Sequence, residues 1–160
     1  MNTEGTVTKP PRGNNQALNE DYSIPYDKGH LVPVRHWNAQ RCSDATFTLT
    51  NAAPQYFSFN RGQWSRQEGI VSNDLTNNCL NRGFHAYVVT GVVPGNTNMK
   101  GRVNIPSRFW SAYCCVDNNN VQQLSGAFYG NNDNSKTVTP TTVAGLNAIL
   151  GYNVFGNNCW

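Results

Sequence analysis

The residues equipped to do chemistry fall in two short stretches. Tyr26-Asp27-Lys28-Gly29-His30-Leu31-Val32-Pro33 presents an imidazole directly after a glycine, with a carboxylate three residues earlier. Thirty residues beyond His30, the run Asn60-Arg61-Gly62-Gln63-Trp64-Ser65-Arg66-Gln67-Glu68 offers an amide and a carboxylate at the start of an expected helix. His30 suits general-base work, because an imidazole titrating near pH ~6.5 is largely neutral at physiological pH and takes a proton from water. Asn60 suits a hard divalent cation. Magnesium prefers oxygen, keeps several waters and takes only one or two protein ligands, and an amide oxygen brings no negative charge to a site that must accept an anion. Asn60, Trp64 and Glu68 stand at i, i+4 and i+8, which keeps them on roughly one face of a helix. On that face Asn60 meets the metal, Trp64 packs inward and Glu68 holds one of the metal's waters. Together these groups fit hydrolysis of a phosphodiester: His30 activates the water, while the metal offsets charge in the transition state and helps the leaving oxygen. Lys28, Arg61 and Arg66 are basic side chains available for the phosphate. A lone His or Asn is more often structural, so the assignment rests on the company these two keep.

Several elements must position them. Apolar residues from Ile24 to Val34 flank the histidine, Gly29 permits a sharp backbone path and Pro33 suits a strand end. Residues 35–43 read as a loop. Ala45-Thr46-Phe47-Thr48-Leu49-Thr50 alternates like a strand that Asn51 to Pro54 then breaks. From Phe57 to about Leu80 a loose helical pattern is weakened by Gly62 and Gly69. Phe84 to Val93 is the most strand-like run, closed by the Pro94-Gly95-Asn96 turn. Val103 to Pro106, Phe109 to Val116 and Leu124 to Tyr129 give three more expected strands, with a turn at Asn118-Asn119-Asn120. Thr141 to Leu150 reads as a short helix, capped by Thr141 or Thr142 and stopped by Gly151. Residues 1–21, rich in Gly, Pro, Asn and Thr, read as a flexible arm, and 22–160 as one domain. The expected class is α+β with one mixed or antiparallel sheet.

Composition narrows the setting. The 160 residues fit a single domain, 38% are apolar, and the charged fraction is only 13%. No window reaches the roughly 18 apolar residues of a membrane span. A net charge of +3 permits a polyanionic partner without requiring one. Cys42, Cys79, Cys114, Cys115 and Cys159 lack zinc spacing and read as disulfide partners from an oxidising compartment. Cys159 would tie the C-terminal end to Cys114 or Cys115. Adjacent cysteines rarely bond each other, so the second of that pair pairs with Cys79, leaving Cys42 free.

The first stretch resembles the DRGH motif of the DNA/RNA non-specific endonucleases, the ββα-metal nucleases, and the second resembles that family's Asn-x-Gly-x-Trp-x-x-x-Glu helix. Ala45 to Pro54, Val93-Pro94-Gly95, Val103 to Pro106 and Cys114-Cys115 look like the secreted vertebrate endonuclease domain-containing 1 proteins within it. The resemblance covers roughly Asn15 to the C-terminus. It implies a ββα-metal core and a magnesium-dependent endonuclease, with manganese as a substitute ion, acting on DNA and RNA outside the cell. At the matching positions His30 is the base, Asn60 the metal ligand and Glu68 an outer-shell residue. Asn51 steadies the loop leading to the site and Asp27 orients the turn carrying His30.

Three positions depart from the family pattern. Lys28 stands where an arginine is usual, keeping the charge but not the guanidinium fork. Ser72 stands one helical turn beyond Glu68, where an arginine often meets phosphate. The family's further N-terminal strands do not all fit before the motif, so an N-terminal part is expected to be missing, and the surroundings of Arg12 do not argue for it as a substitute. Those departures keep two other readings open: a nuclease-like protein that binds nucleic acid without turnover, and a secreted disulfide-stapled interaction domain.

Overall fold

A computed structural model of the chain describes residues 16–34, 40–156 and 159. In chain order they form β1 (Tyr26–His30), α1 (Gln40–Ala45), β2 (Ala52–Tyr56), α2 (Phe57–Phe59), a π-helical turn (Asn60–Trp64) and α3 (Ser65–Asn78). There follow β3 (His85–Val93), β4 (Thr97–Met99), β5 (Val103–Ile105), β6 (Arg108–Val116), β7 (Gln122–Asn131), β8 (Thr139–Thr141) and α4 (Val143–Leu150). The class is α+β. β1 and β2 pair as an antiparallel hairpin that leads into the α3 segment, β4 pairs with β5, and a four-stranded sheet runs β3-β6-β7-β8. Every paired strand is antiparallel. Among the described residues no helix is long and apolar enough to cross a membrane.

β6 is the spine, and it is buried on both faces. Alternation sends Phe109 and Cys115 to one face, where they join Phe59, Trp64, Val71, Leu75 and Phe128 in the main core. The opposite face carries Trp110 and Ala112, which pack with Ala127 and with Leu146 of α4. Trp64 is the keystone of the first cluster, its ring 4.8 Å from Phe128 and 5.4 Å from Phe59. Alternation also settles the cysteines. Cys115 bonds Cys79 at the end of α3, Cys114 bonds Cys159, and Cys42 is free and exposed. Neighbours on one strand point to opposite faces, so each finds its own partner. At the far end α4 is capped by Thr142, whose hydroxyl accepts from the Gly145 N–H at 3.0 Å, and it stops at Gly151 with φ 79°, as its flanking residues predict.

Two expectations fail for physical reasons. The strand expected over Ala45–Thr50 is instead the end of α1 and a set of turns. Its hydroxyls bond back to the chain, Thr46 Oγ1 to the Ser43 carbonyl at 2.7 Å and Thr48 Oγ1 to the Ala45 carbonyl at 3.4 Å, which competes with ladder formation. The strand lies one step later, at Ala52–Tyr56, through the expected breaker Pro54. Proline is tolerated because β2 pairs on one side only, with Lys28 opposite Pro54. The loop expected over 35–43 lies outside the described residues at 35–39, and Gln40–Ala45 is helical.

The N-terminal arm expected over 1–21 lies outside the described residues for 1–15, Arg12 included. Residues 18–21 are packed. Leu18 and Asp21 are buried, Asn19–Asp21 form a 3-10 turn, and the Leu18 N–H donates to Asp21 Oδ2 at 2.8 Å. The β4–β5 turn holds this segment down, with the Lys100 ammonium on the Glu20 carbonyl and Arg102 Nη2 donating to the Gln16 carbonyl at 3.0 Å.

Candidate active site

The β1–β2 hairpin is flush because Gly29 has no side chain. A Cβ there would lie 2.5 Å from Gln55 Cβ, and Gln55 is fully buried with neither amide atom hydrogen-bonded. His30 ends β1 opposite Ala52. The chain beyond it is fastened by Asn51, whose backbone carbonyl accepts from the Leu31 N–H at 2.9 Å. The Asn51 side chain accepts from the Val32 N–H at 2.9 Å and donates to the carbonyls of Val32 and Thr46 at 3.2 and 2.9 Å. The His30 ring stands edge-on to Phe47, centroids 4.9 Å apart. Burial lowers its pKa below the usual 6.5, because a half-buried imidazolium loses hydration. The ring is therefore neutral at physiological pH.

Asn60 opens the π-helical turn, where Gly62 leaves helical geometry at φ −97° and ψ −116° and kinks the helix. Such one-turn insertions often coincide with functional sites. The Asn60 Nδ2 donates to Asp27 Oδ2 at 3.0 Å. Arg61 reaches the same carboxylate with two prongs, Nε to Oδ2 at 2.8 Å and Nη2 to Oδ1 at 2.6 Å. Burial works to raise the Asp27 pKa, but the hydrogen bonds from Arg61 and Asn60 and the Arg61 charge outweigh it, and the carboxyl is held below the usual 3.8. The hydrogen bond to Asp27 likewise raises the pKa of Arg61. Ionised, Asp27 can only accept, so it is the nitrogen of the Asn60 amide that must face it and the oxygen that turns away.

His30, Pro33, Val34, Asn60, Arg61, Ser65 and Glu68 line one open pocket of about 210 Å³. Thus the structure brings together His30, Asn60, Arg61 and Glu68. Glu68 is oriented from the core, since the buried Trp64 donates through Nε1 to its Oε1 at 2.9 Å. Lys28 and Arg66 are elsewhere. The Lys28 ammonium engages Asn19 Oδ1 and lies 5.8 Å from the centre of the Tyr22 ring, and Arg66 is exposed on α3 outside the pocket lining.

A hard divalent cation fits this donor set. No group of three or more His, Cys, Asp or Glu side chains is assembled among the described residues. Magnesium needs only one or two protein oxygens and fills the rest of its shell with water and substrate. Asn60 and Glu68 line one open pocket, which offers such oxygens beside room for water and substrate.

Sequence reading missed Asn132. It is buried and fully used: its Oδ1 accepts from the Tyr56 N–H at 2.7 Å, and its Nδ2 donates to the carbonyls of Pro54 and Pro106 at 2.9 and 2.8 Å. It pins β2 to the end of β7. No local signal marks it in a chain with so many asparagines.

Comparison with known proteins agrees with this architecture. The family model for DNA/RNA non-specific endonuclease matches residues 5–158. Human endonuclease domain-containing 1 protein is 32% identical over 150 residues, covering 92% of this chain and 29% of that protein. Human mitochondrial endonuclease G is 37% identical over 78 residues, covering 48% of this chain and 25% of that protein. The matched stretches thus span 29% and 25% of the length of these relatives. Among solved structures, a crystal structure of the EndoG/EndoGI complex superposes with a TM-score of 0.65 at 23% identity, covering 84% of this chain and 61% of that one. The fold is that of the ββα-metal nucleases, and the chain belongs to the DNA/RNA non-specific endonuclease family.

Proposed function

We propose that this chain is the catalytic domain of a secreted, sugar-non-specific endonuclease that hydrolyses phosphodiester bonds in DNA and RNA with a divalent cation, magnesium or, in its place, manganese. The observation that carries the reading is the convergence of His30 and Asn60 on one pocket from elements thirty residues apart. His30, neutral through burial, takes a proton from water as the water oxygen bonds to phosphorus. The bond from phosphorus to the departing sugar oxygen breaks, and that oxygen takes a proton from solvent. Asn60 would hold the cation through its amide oxygen and Glu68 would hold one of its waters, and the cation would supply positive charge to the phosphate and the departing oxygen. Asp27 and Asn51 keep the two carriers of chemistry in place, and Arg66 adds positive charge on the approach. The two disulfides support an oxidising, extracellular setting.

The test is degradation of plasmid DNA and of RNA by the purified protein, with magnesium and then with chelator. Both substrates should be cut, and chelation should stop the reaction; cutting that persists in chelator sinks the metal mechanism. One observation favours a second reading, a nuclease-like domain that binds nucleic acid without turnover. Two of the three cations expected at the phosphate, Lys28 and Arg61, are engaged by the protein itself. Nucleic-acid binding with neither substrate cleaved would support it.

A further inference from the structure

We infer that Arg61 is a positioning residue for Asn60, acting through Asp27, rather than a direct contact for the substrate's phosphates. The inference rests on the reading of Asn60 as the cation's ligand. The guanidinium meets Asp27 side-on, with Nε on Oδ2 at 2.8 Å and Nη2 on Oδ1 at 2.6 Å. A two-pronged contact fixes the plane of the carboxylate as well as its place. The same Oδ2 receives the Asn60 amide nitrogen at 3.0 Å. Once the carboxylate plane is fixed, so is the direction of the amide, and with it the direction in which the amide oxygen points.

Local backbone geometry supports this use. Consecutive residues of an α-helix point about 100° apart, which separates neighbouring side chains. Here Asn60 and Arg61 start a π-helical turn with a non-helical Gly62, and both side chains converge on one carboxylate. The pair is also unsuited to holding the fold together. The Arg61 side chain is 72% exposed, and exposed ion pairs contribute little to stability. Its effect is local orientation. A guanidinium with two prongs and its charge directed at Asp27 is correspondingly less available to a phosphate.

The experiment measures binding of Mn2+ alone, without nucleic acid, by electron paramagnetic resonance of the free ion. It compares the unaltered protein with Arg61→Gln, Arg61→Lys and Asn60→Ala, and follows thermal unfolding of each. Positioning requires both Arg61 variants to bind Mn2+ about 10–100-fold more weakly, the range typical of outer-shell changes, with unfolding unchanged. Lysine should be as poor as glutamine, because an ammonium keeps the charge but cannot make the two-pronged contact. Affinity at the unaltered level in both variants, or rescue by lysine, overturns the inference. Absence of Mn2+ binding in the unaltered protein overturns the reading of Asn60 as ligand, and the positioning role with it.

Discussion

Asn60 and Asp27 lie 33 residues apart in sequence and meet at 3.0 Å, amide nitrogen to carboxylate oxygen. The contact joins the strand that carries the histidine to the turn that carries the amide. It is the step at which two separate sequence motifs become one site, and it makes the chemistry of each depend on the other's placement.

Replacing His30 by alanine should lower cleavage about 10²–10⁴-fold, the usual contribution of a general base, while circular dichroism stays unchanged. An unaltered rate in His30→Ala would remove the assignment.

The pH dependence follows from the neutral form being the active one. Burial lowers the His30 pKa below 6.5, so the rate should climb through that lowered value and level off above it. Asp27 is held below 3.8 and stays ionised across this climb. Stability has the same sign for both groups: it is fully present above each unfolded pKa and is lost as pH falls through the lowered folded one. Rate profiles of the unaltered protein and His30→Ala check this, and the acid limb should vanish from the residual rate of the variant.

Metal dependence should separate Asn60 from Glu68. Asn60→Ala should raise the magnesium concentration needed for half-maximal cleavage, and Glu68→Ala should do so more mildly, by about 10–100-fold as is usual for outer-shell residues. A Glu68 effect much larger than that of Asn60 would exchange the two roles.

Much of the frame was legible in the sequence, for identifiable reasons. β3 and β6 are long runs rich in β-branched and aromatic residues, which favour strands. Thr142 and Gly151 bound α4 through local chemistry that needs no tertiary context. The strand expected at Ala45–Thr50 failed because side chain to backbone bonds won over alternation. The π-helical turn was invisible because a period of 3.6 is all that pattern reading looks for. Of the site, His30, Asn60 and Glu68 stood out through spacing, whereas the engagement of Arg61 by Asp27 and the anchoring by Asn132 depend on partners tens of residues away.

Gly29→Ala should act on both stability and activity. Its new Cβ would press on the fully buried Gln55, and overpacking of this kind typically costs about 1–3 kcal/mol. Urea unfolding gives the stability change, and cleavage should fall further than the unfolded fraction explains because His30 is the next residue. A fully active, fully stable Gly29→Ala would show that the hairpin has more slack than its packing implies.

Thiol labelling in denaturant without reductant should modify Cys42 alone, since the other four cysteines are paired. Cys42→Ser should leave the unfolding midpoint in place, while removing either bridge should cost about 2–5 kcal/mol. Labelling at Cys79 or Cys159 would contradict the pairing.

The two bridges close overlapping loops that together run from Cys79 to Cys159 and share only Cys114 and Cys115. The chemistry-bearing stretch from Asp27 to Glu68 lies entirely outside them. The molecule is thus divided into a part sewn shut by covalent bonds and a part held to it by packing, through Phe59, Trp64, Val71 and Leu75, and by hydrogen bonds such as those of Asn132, Lys100 and Arg102. The clasped part can separate from the sewn one without any covalent bond breaking. Amide hydrogens of the β1–β2 hairpin should accordingly exchange through a partial opening that β6 does not share. Reductant acts on the part of the chain from Cys79 to Cys159, where both bridges lie, and its effect on the β1–β2 pair passes through that scaffold.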